Sequence, residues 1–261
     1  METKDILLPL FGFFIGAFGT LVGVGGGVIV VPLLILAYSF DSRVAVGTSI
    51  VVVLLNALSG TIAYLAQKRV DLKIAIPFSI ATVPGAVGGI LLNRYISTAT
   101  FSFLFAILLA AVASYLAIGK HLSGQAESAT LSVPGCGYNV KLRLGIFISF
   151  GVGLIAGLFG IGGGVIHVPC MILILGIPVH ISTATSHFIL AITATAASAT
   201  AILEQSVNVL YALLLGCGVV VGAQVGAKIS VKTKSSTIKR LLSVALALLA
   251  ARLIIAYLRW M

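Results

Sequence analysis

Hydrophobic positions run along this chain in long unbroken blocks. Apolar segments cover 6–22, 28–39, 45–66, 72–93, 99–118, 144–159, 165–176, 182–203, 208–227 and 238–258. Their continuity predicts helices, since the strands of a membrane barrel would appear as ~10-residue alternating segments. Segments of about 20 residues are long enough to cross a ~30 Å hydrocarbon core. The segments 28–39 and 165–176 are not, because about 12 helical residues reach only ~18 Å. Each of these short segments follows a glycine cluster. The pattern therefore predicts two hairpins of partial helices that meet inside the membrane at the glycines. Three full crossings follow each hairpin.

The pattern also occurs twice. Gly16–Leu36 aligns without a gap on Gly153–Leu173, an offset of 137, and 12 of those 21 pairs are identical. They include Gly23 with Gly160, Gly25-Gly26-Gly27 with Gly162-Gly163-Gly164, and Pro32 with Pro169. The same offset carries Thr48-Ser49 onto Thr185-Ser186, Gly85-Ala86 onto Gly222-Ala223, and Gly89 onto Gly226. Two homologous transmembrane repeats are expected, 1–118 and 144–261. They are joined by a polar loop, 119–143, that holds Pro134-Gly135 and Gly137.

Composition agrees with the pattern. Of 261 residues, 60% are hydrophobic and only 22 are charged, and the mean hydropathy is +1.22. A soluble domain of this length could not bury so much apolar surface, and the same numbers exclude disorder. The net charge of +10 is not a nucleic-acid signal here, because the basic residues sit in short loops where they set orientation. The start of the chain has no small-x-small cleavage site behind Met1–Asp5 and reads as a retained first helix.

Charge placement bears on how the repeats are related. If each hairpin returns to its starting side, each repeat makes an odd number of crossings and the two are inverted. Lys68, Arg69, Lys73, Lys120, Lys141, Arg143, Lys228, Lys232, Lys234, Lys239 and Arg240 then share one side. The other side receives Lys4, Arg43, Arg94, Arg252 and Arg259, a split of eleven against five. With parallel repeats the split would be nine against seven, almost no bias. The positive-inside rule favours inversion, with both termini outside and the central loop in the cytoplasm. Inverted repeats with interrupted helices are a transporter signature.

The glycine clusters are the candidate chemistry. Non-helical backbone at membrane depth is costly unless it lines a cavity or is buried in protein. Gly25, Gly26, Gly27 and Gly162, Gly163, Gly164 break the helix and let a ligand approach the main chain. The short helices behind them present N-termini, with unpaired N–H groups and about half a positive charge each. Two such ends meeting near the midplane would bind an anion without a buried Lys or Arg. The blander reading is close helix packing through small residues. The hydroxyls of Thr48, Ser49, Thr185 and Ser186 either face the same cavity or cap and back-bond their own helices.

His167 and His187 face apolar counterparts in the other repeat, Val30 and Ile50. Each is a candidate anion donor or carrier of a coupled proton; the alternative is a neutral histidine satisfied by a carbonyl. Asn56 and Gln224 are weaker polar candidates, Glu204 reads as a surface charge, and His121 and His180 as loop residues. Cys136, Cys170 and Cys217 are scattered, with no metal-ligand or disulfide spacing. No acid/base pair, activated cysteine or Gly-x-x-x-x-Gly-Lys-Ser/Thr motif is present, so neither an enzyme, nor a cofactor or metal, nor direct ATP drive is expected.

The repeated Gly-x-Gly-Gly-Gly segments, Val24–Pro32 and Ile161–Pro169, are each followed by Thr-Ser and then by Gly-Ala-x-x-Gly, Gly85–Gly89 or Gly222–Gly226. This set, spread over nearly the whole chain, resembles the sulfite exporter TauE/SafE family, also called the four-toluene sulfonate uptake permease family. The resemblance implies an all-α polytopic transporter of sulfur-containing anions (sulfite, sulfoacetate or other organosulfonates, thiosulfate or sulfate) in a prokaryotic inner membrane. His187 departs from the apolar residue expected after Thr-Ser. The leading expectation is a secondary carrier with alternating access and no protein partner. An anion channel, a membrane-embedded enzyme and a scaffold are the rivals.

Overall fold

The computed structural model describes residues 5–118 and 142–260. Most of the expected central loop, with His121, Cys136, Lys120 and Lys141, lies outside the described residues, as does Lys4.

The described chain is helical, with no strand in it. The first half holds α1 (Leu8–Val22), α2 (Gly27–Tyr38), α3 (Ser42–Ala66), α4 (Leu72–Asn93) and α5 (Thr98–Ile118). The second holds α6 (Leu142–Phe159), α7 (Gly164–Leu173), α8 (Val179–Leu203), α9 (Val209–Lys232) and α10 (Ser235–Trp260). The helices α3, α4, α8 and α9 are long and apolar enough to span a membrane, while α1 and α2 are shorter apolar helices. Large apolar side chains lie exposed on the outer faces, Phe14 and Ile80 at more than 60% among them. On a soluble protein such faces would be a liability; here they suit lipid.

Local chemistry sets the boundaries. Asp41 caps α3 by accepting from the Val44 N–H at 2.8 Å, and Asp71 caps α4 by accepting from Lys73 at 3.0 Å. Asn208, the counterpart of Asp71, caps α9 through the Tyr211 N–H. The short α7 stops at Leu173, before the expected 176. Ile174 and Leu175 both donate to the Cys170 carbonyl there, and Gly176 then turns left-handed at φ 67°. Pro178 starts α8 three residues before the expected 182, which brings His180 into its first turn. The helix α9 runs on to Lys232, five residues past the expected 227. Its last turn carries a basic residue, which suits the negative helix end.

Packing crosses between the halves. The helix α1 lies on α9, α6 lies on α4, α3 on α8, and α5 on α10. The Gly-Ala-x-x-Gly runs are the seams of this packing. A Cβ added at Gly222 or Gly226 would strike the carbonyls of Phe13 or Ala17 on α1. One at Gly85 or Gly89 would strike Phe150 or Leu154 on α6, the residues 137 positions further along. Backbones approach this closely only where side chains are absent. Those glycines are thus accounted for by packing, and they bring the two glycine loops together.

Candidate functional site

Each loop starts where a helix is stopped by glycine. Gly23 ends α1 at φ 84°, and Gly160 follows α6 at φ 67°. Gly25 and Gly26 (both φ 82°), like Gly162 (φ 71°) and Gly163 (φ 86°), hold left-handed conformations that other residues rarely adopt. Among the described residues, no carbonyl accepts from the N–H groups of Gly27 and Val28 at the start of α2. The same is true of Gly164 and Val165 at the start of α7.

The two loops touch. A Cβ on Gly27 would come 2.5 Å from the Gly160 carbonyl, and one on Gly164 would come 2.5 Å from the Gly23 carbonyl. Added Cβ atoms at Gly25 and Gly162 would both meet the side chains of Val53 and Leu190. These two apolar residues, themselves 137 apart, are fully buried and form the floor shared by both loops. The sequence did not mark them, because a valine and a leucine in apolar helices carry no signal of their own.

The Thr-Ser pairs fasten the arrangement reciprocally. Ser49 donates to the Gly160 carbonyl at 2.9 Å, and Ser186 donates to the Gly23 carbonyl at 3.2 Å. Each serine thus holds the loop of the opposite half. The Thr48 hydroxyl accepts from the Asn208 N–H at 2.9 Å, and that of Thr185 accepts from the Asp71 N–H at 3.1 Å. All four side chains are buried. In this conformation their hydroxyls tie helices and loops together.

The histidines break the symmetry. His167 sits in the first turn of α7, with Nε2 3.2 Å from the Ser149 hydroxyl. His187 is fully buried on α8, its ring edge-on to Tyr64 with centroids 5.6 Å apart. Its Nε2 lies 3.2 Å from the Thr20 hydroxyl, which donates to Asn56 Oδ1 at 3.0 Å. With the Thr20 proton given to Asn56, Nε2 is the donor in that contact. Neither His187 Nδ1 nor Asn56 Nδ2 has a partner among the described residues. Buried polar atoms are seldom left so. The counterparts of His187, Thr20 and Asn56 are Ile50, Gly157 and Thr193, so the symmetry-related place does not repeat this file, which draws on both halves.

The remaining polar candidates have structural partners. Gln224 donates to the Ser59 carbonyl at 2.7 Å, and Glu204 faces Arg43 at 3.2 Å and Arg94 at 3.7 Å. Among the described residues no cluster of metal-ligating side chains occurs, and Cys170 and Cys217 are unpaired.

Long apolar helices with two helix pairs broken at glycine clusters recur in membrane transport proteins. The profile of the family described as Sulfite exporter TauE/SafE matches residues 8–253, and the chain belongs to that family. A Bacillus subtilis protein named probable membrane transporter protein YunE is 32% identical over 270 residues, covering 95% of this chain and 97% of its own. A Sinorhizobium protein, probable membrane transporter protein ORF9, is 27% identical over 256 residues, covering 96% and 95%. A probable membrane transporter protein of Haemophilus influenzae is 32% identical over 165 residues, 62% of this chain and 59% of its own. No solved structure matches. The chain is a multi-pass membrane protein of a transporter family.

Proposed function

We propose that the protein is a secondary carrier of small sulfur-containing anions, of the sulfite or organosulfonate class, and an exporter in the inner membrane. The observation that carries this reading is the meeting of the two glycine loops, each fastened by a serine of the other half. Two helix N-termini with free N–H groups then face one shared place, which suits an anion. Gly25, Gly26, Gly27, Gly162, Gly163 and Gly164 would supply backbone donors. Ser49 and Ser186 would hold the loops and release them as the carrier changes face, while Thr48 and Thr185 hold the starts of α9 and α4.

Alternating access would come from inverted repeats, 1–118 and 144–261, rocking about the contact of the loops. The termini would lie outside and the loop 119–143 in the cytoplasm, as the basic residues suggest. His187, with Nδ1 unpartnered, and His167 are the candidates to carry a coupled proton or to donate to the anion. Asn56 Nδ2 is a further donor beside His187.

The test is anion flux in proteoliposomes at clamped potential, with sulfite, sulfoacetate, thiosulfate, sulfate and chloride compared side by side. Saturable flux of one sulfur anion supports the carrier. A non-saturating current would indicate a channel instead. Folded protein that moves none of the five refutes the reading.

A further inference from the structure

The two ends of the bundle are built alike and charged differently. At one end Arg43 on α3 donates to the Glu204 carbonyl at 2.7 Å and to its carboxylate at 3.2 Å, with Arg94 nearby. There the buttressing arginine has a carboxylate partner. At the other end, Arg69 bridges α3 to α8 and α9 in the same manner. Its Nη2 donates to both the carbonyl and the ring Nδ1 of His180, each at 3.1 Å, and His180 is the counterpart of Arg43. Its Nη1 donates to Gln67 Oε1 at 3.0 Å and to the Ser230 hydroxyl at 2.8 Å. Gln67 is the counterpart of Glu204, so a neutral amide stands where the other end has its carboxylate.

Arg69 is half-buried, and among the described residues no carboxylate comes within ion-pair distance of it. Its guanidinium lies over the Tyr64 ring, 5.1 Å from the centroid, which compensates the charge in part. Burial lowers its pKa from the ordinary guanidinium value, as expected of a cation short of counter-charge. Lys68, Lys73, Lys228 and Lys232 stand exposed on the same end and add to the field, against Asp71 at the start of α4. From Arg69 the polar groups lead inward. The Tyr64 hydroxyl lies 3.4 Å from the Ser230 hydroxyl and donates to the Thr20 carbonyl at 2.7 Å. Gly23, at the start of the first glycine loop, donates to that same carbonyl at 3.0 Å.

We propose that Arg69 is an outer binding site for a small oxyanion, open to one face only, from which the anion passes along Tyr64 and Thr20 to the glycine loops. A sulfonate, sulfite or sulfate group would engage the guanidinium fork through two oxygens by taking the place of its neutral acceptors, Gln67 Oε1 on Nη1 and His180 Nδ1 on Nη2. The site rests on the anion-carrier reading, and it makes the carrier unequal at its two ends. Anions load from the face bearing Arg69, and the face bearing Glu204 lacks a matching site.

The experiment measures radiolabelled sulfite uptake into right-side-out and inside-out membrane vesicles holding the full chain. Arg69→Gln should raise the half-saturating concentration on the Arg69 face on the order of tenfold, as loss of a charge-assisted pair to an anion would. The opposite face should stay within about twofold, because the change does not alter the glycine loops. Gln67→Glu, which keeps Arg69 and installs the carboxylate found at the other end, should do the same and covers the case that Arg69→Gln does not fold. Arg43→Gln should change neither face. Unchanged half-saturation on the Arg69 face with Gln67→Glu, or equal changes on both faces, overturns the proposal. If the unaltered protein moves no sulfur anion, the carrier reading fails, and melting in detergent with sodium sulfate against sodium chloride at equal ionic strength decides the site. Sulfate stabilisation that Gln67→Glu abolishes supports it; equal stabilisation of both proteins overturns it.

Discussion

Gly27→Ala isolates the contact between the loops from the strain within them. Gly27 is not among the glycines with positive φ, so alanine fits its backbone and only the space beyond is at issue. The new Cβ would stand 2.5 Å from the Gly160 carbonyl, 2.8 Å from Val53 Cγ2 and 2.9 Å from the Ile161 Cα. A carbon and a carbonyl oxygen rest at about 3.3 Å, so the loops must part by roughly 0.8 Å. Two of the three neighbours are backbone and cannot rotate away. Overpacking of this kind costs about 1–3 kcal/mol. Gly164→Ala should match it, with 2.5 Å to the Gly23 carbonyl. The double variant should cost less than the sum, because both methyl groups press on the same contact. Gly88→Ala and Gly151→Ala are the controls, since no atom lies within 4 Å of either new Cβ. As helical positions they should be neutral or gain about 0.5–1 kcal/mol. The assay pairs thermal melting in detergent with sulfite flux in proteoliposomes. Flux should fall at least about tenfold in Gly27→Ala, in line with one 1.4 kcal/mol step or more, and hold in the controls. Wild-type melting and flux in Gly27→Ala would refute the claim that close loop contact underlies the site.

The serine pair should behave as a matched set. Ser49→Ala and Ser186→Ala each leave a loop carbonyl unpaired, costing about 1–3 kcal/mol, and melting should show similar losses for both. A loss in one only would contradict the reciprocal fastening. His187→Ile, which restores the counterpart residue, should flatten the pH dependence of flux if Nδ1 takes the coupled proton. An unchanged pH profile in a folded variant removes that role.

Much of this architecture was open to reading because the chain states it twice. The 137-residue offset located both glycine loops and both Thr-Ser pairs, and the short apolar runs behind them marked α2 and α7. What it left out arises between elements. Which carbonyl Ser49 reaches depends on how α3 lies against the end of α6, and no local pattern encodes that. Val53 and Leu190 are two among many apolar positions until the loops close on them. Arg69 counted as one more loop cation; only its contacts with Gln67, His180 and Ser230 separate it from Lys68 beside it. The helix ends slipped where proline, left-handed glycine or a basic last turn outweighed hydropathy, as at Pro178, Gly176 and Lys232.

The seam between α1 and α9 has a bearing on how the protein is made. Gly12 and Gly16 of α1 lie against the carbonyls of Leu215 and Val219, and Gly218 lies against that of Pro9. The surface on which α1 packs is thus made only after α2 to α8. Until α9 is made, the glycine-lined flank of α1 has no partner helix, and α4 likewise has none until α6 is made. Assembly is an interlocking of early and late helices, and a chain cut short before α9 would leave α1 without a seat.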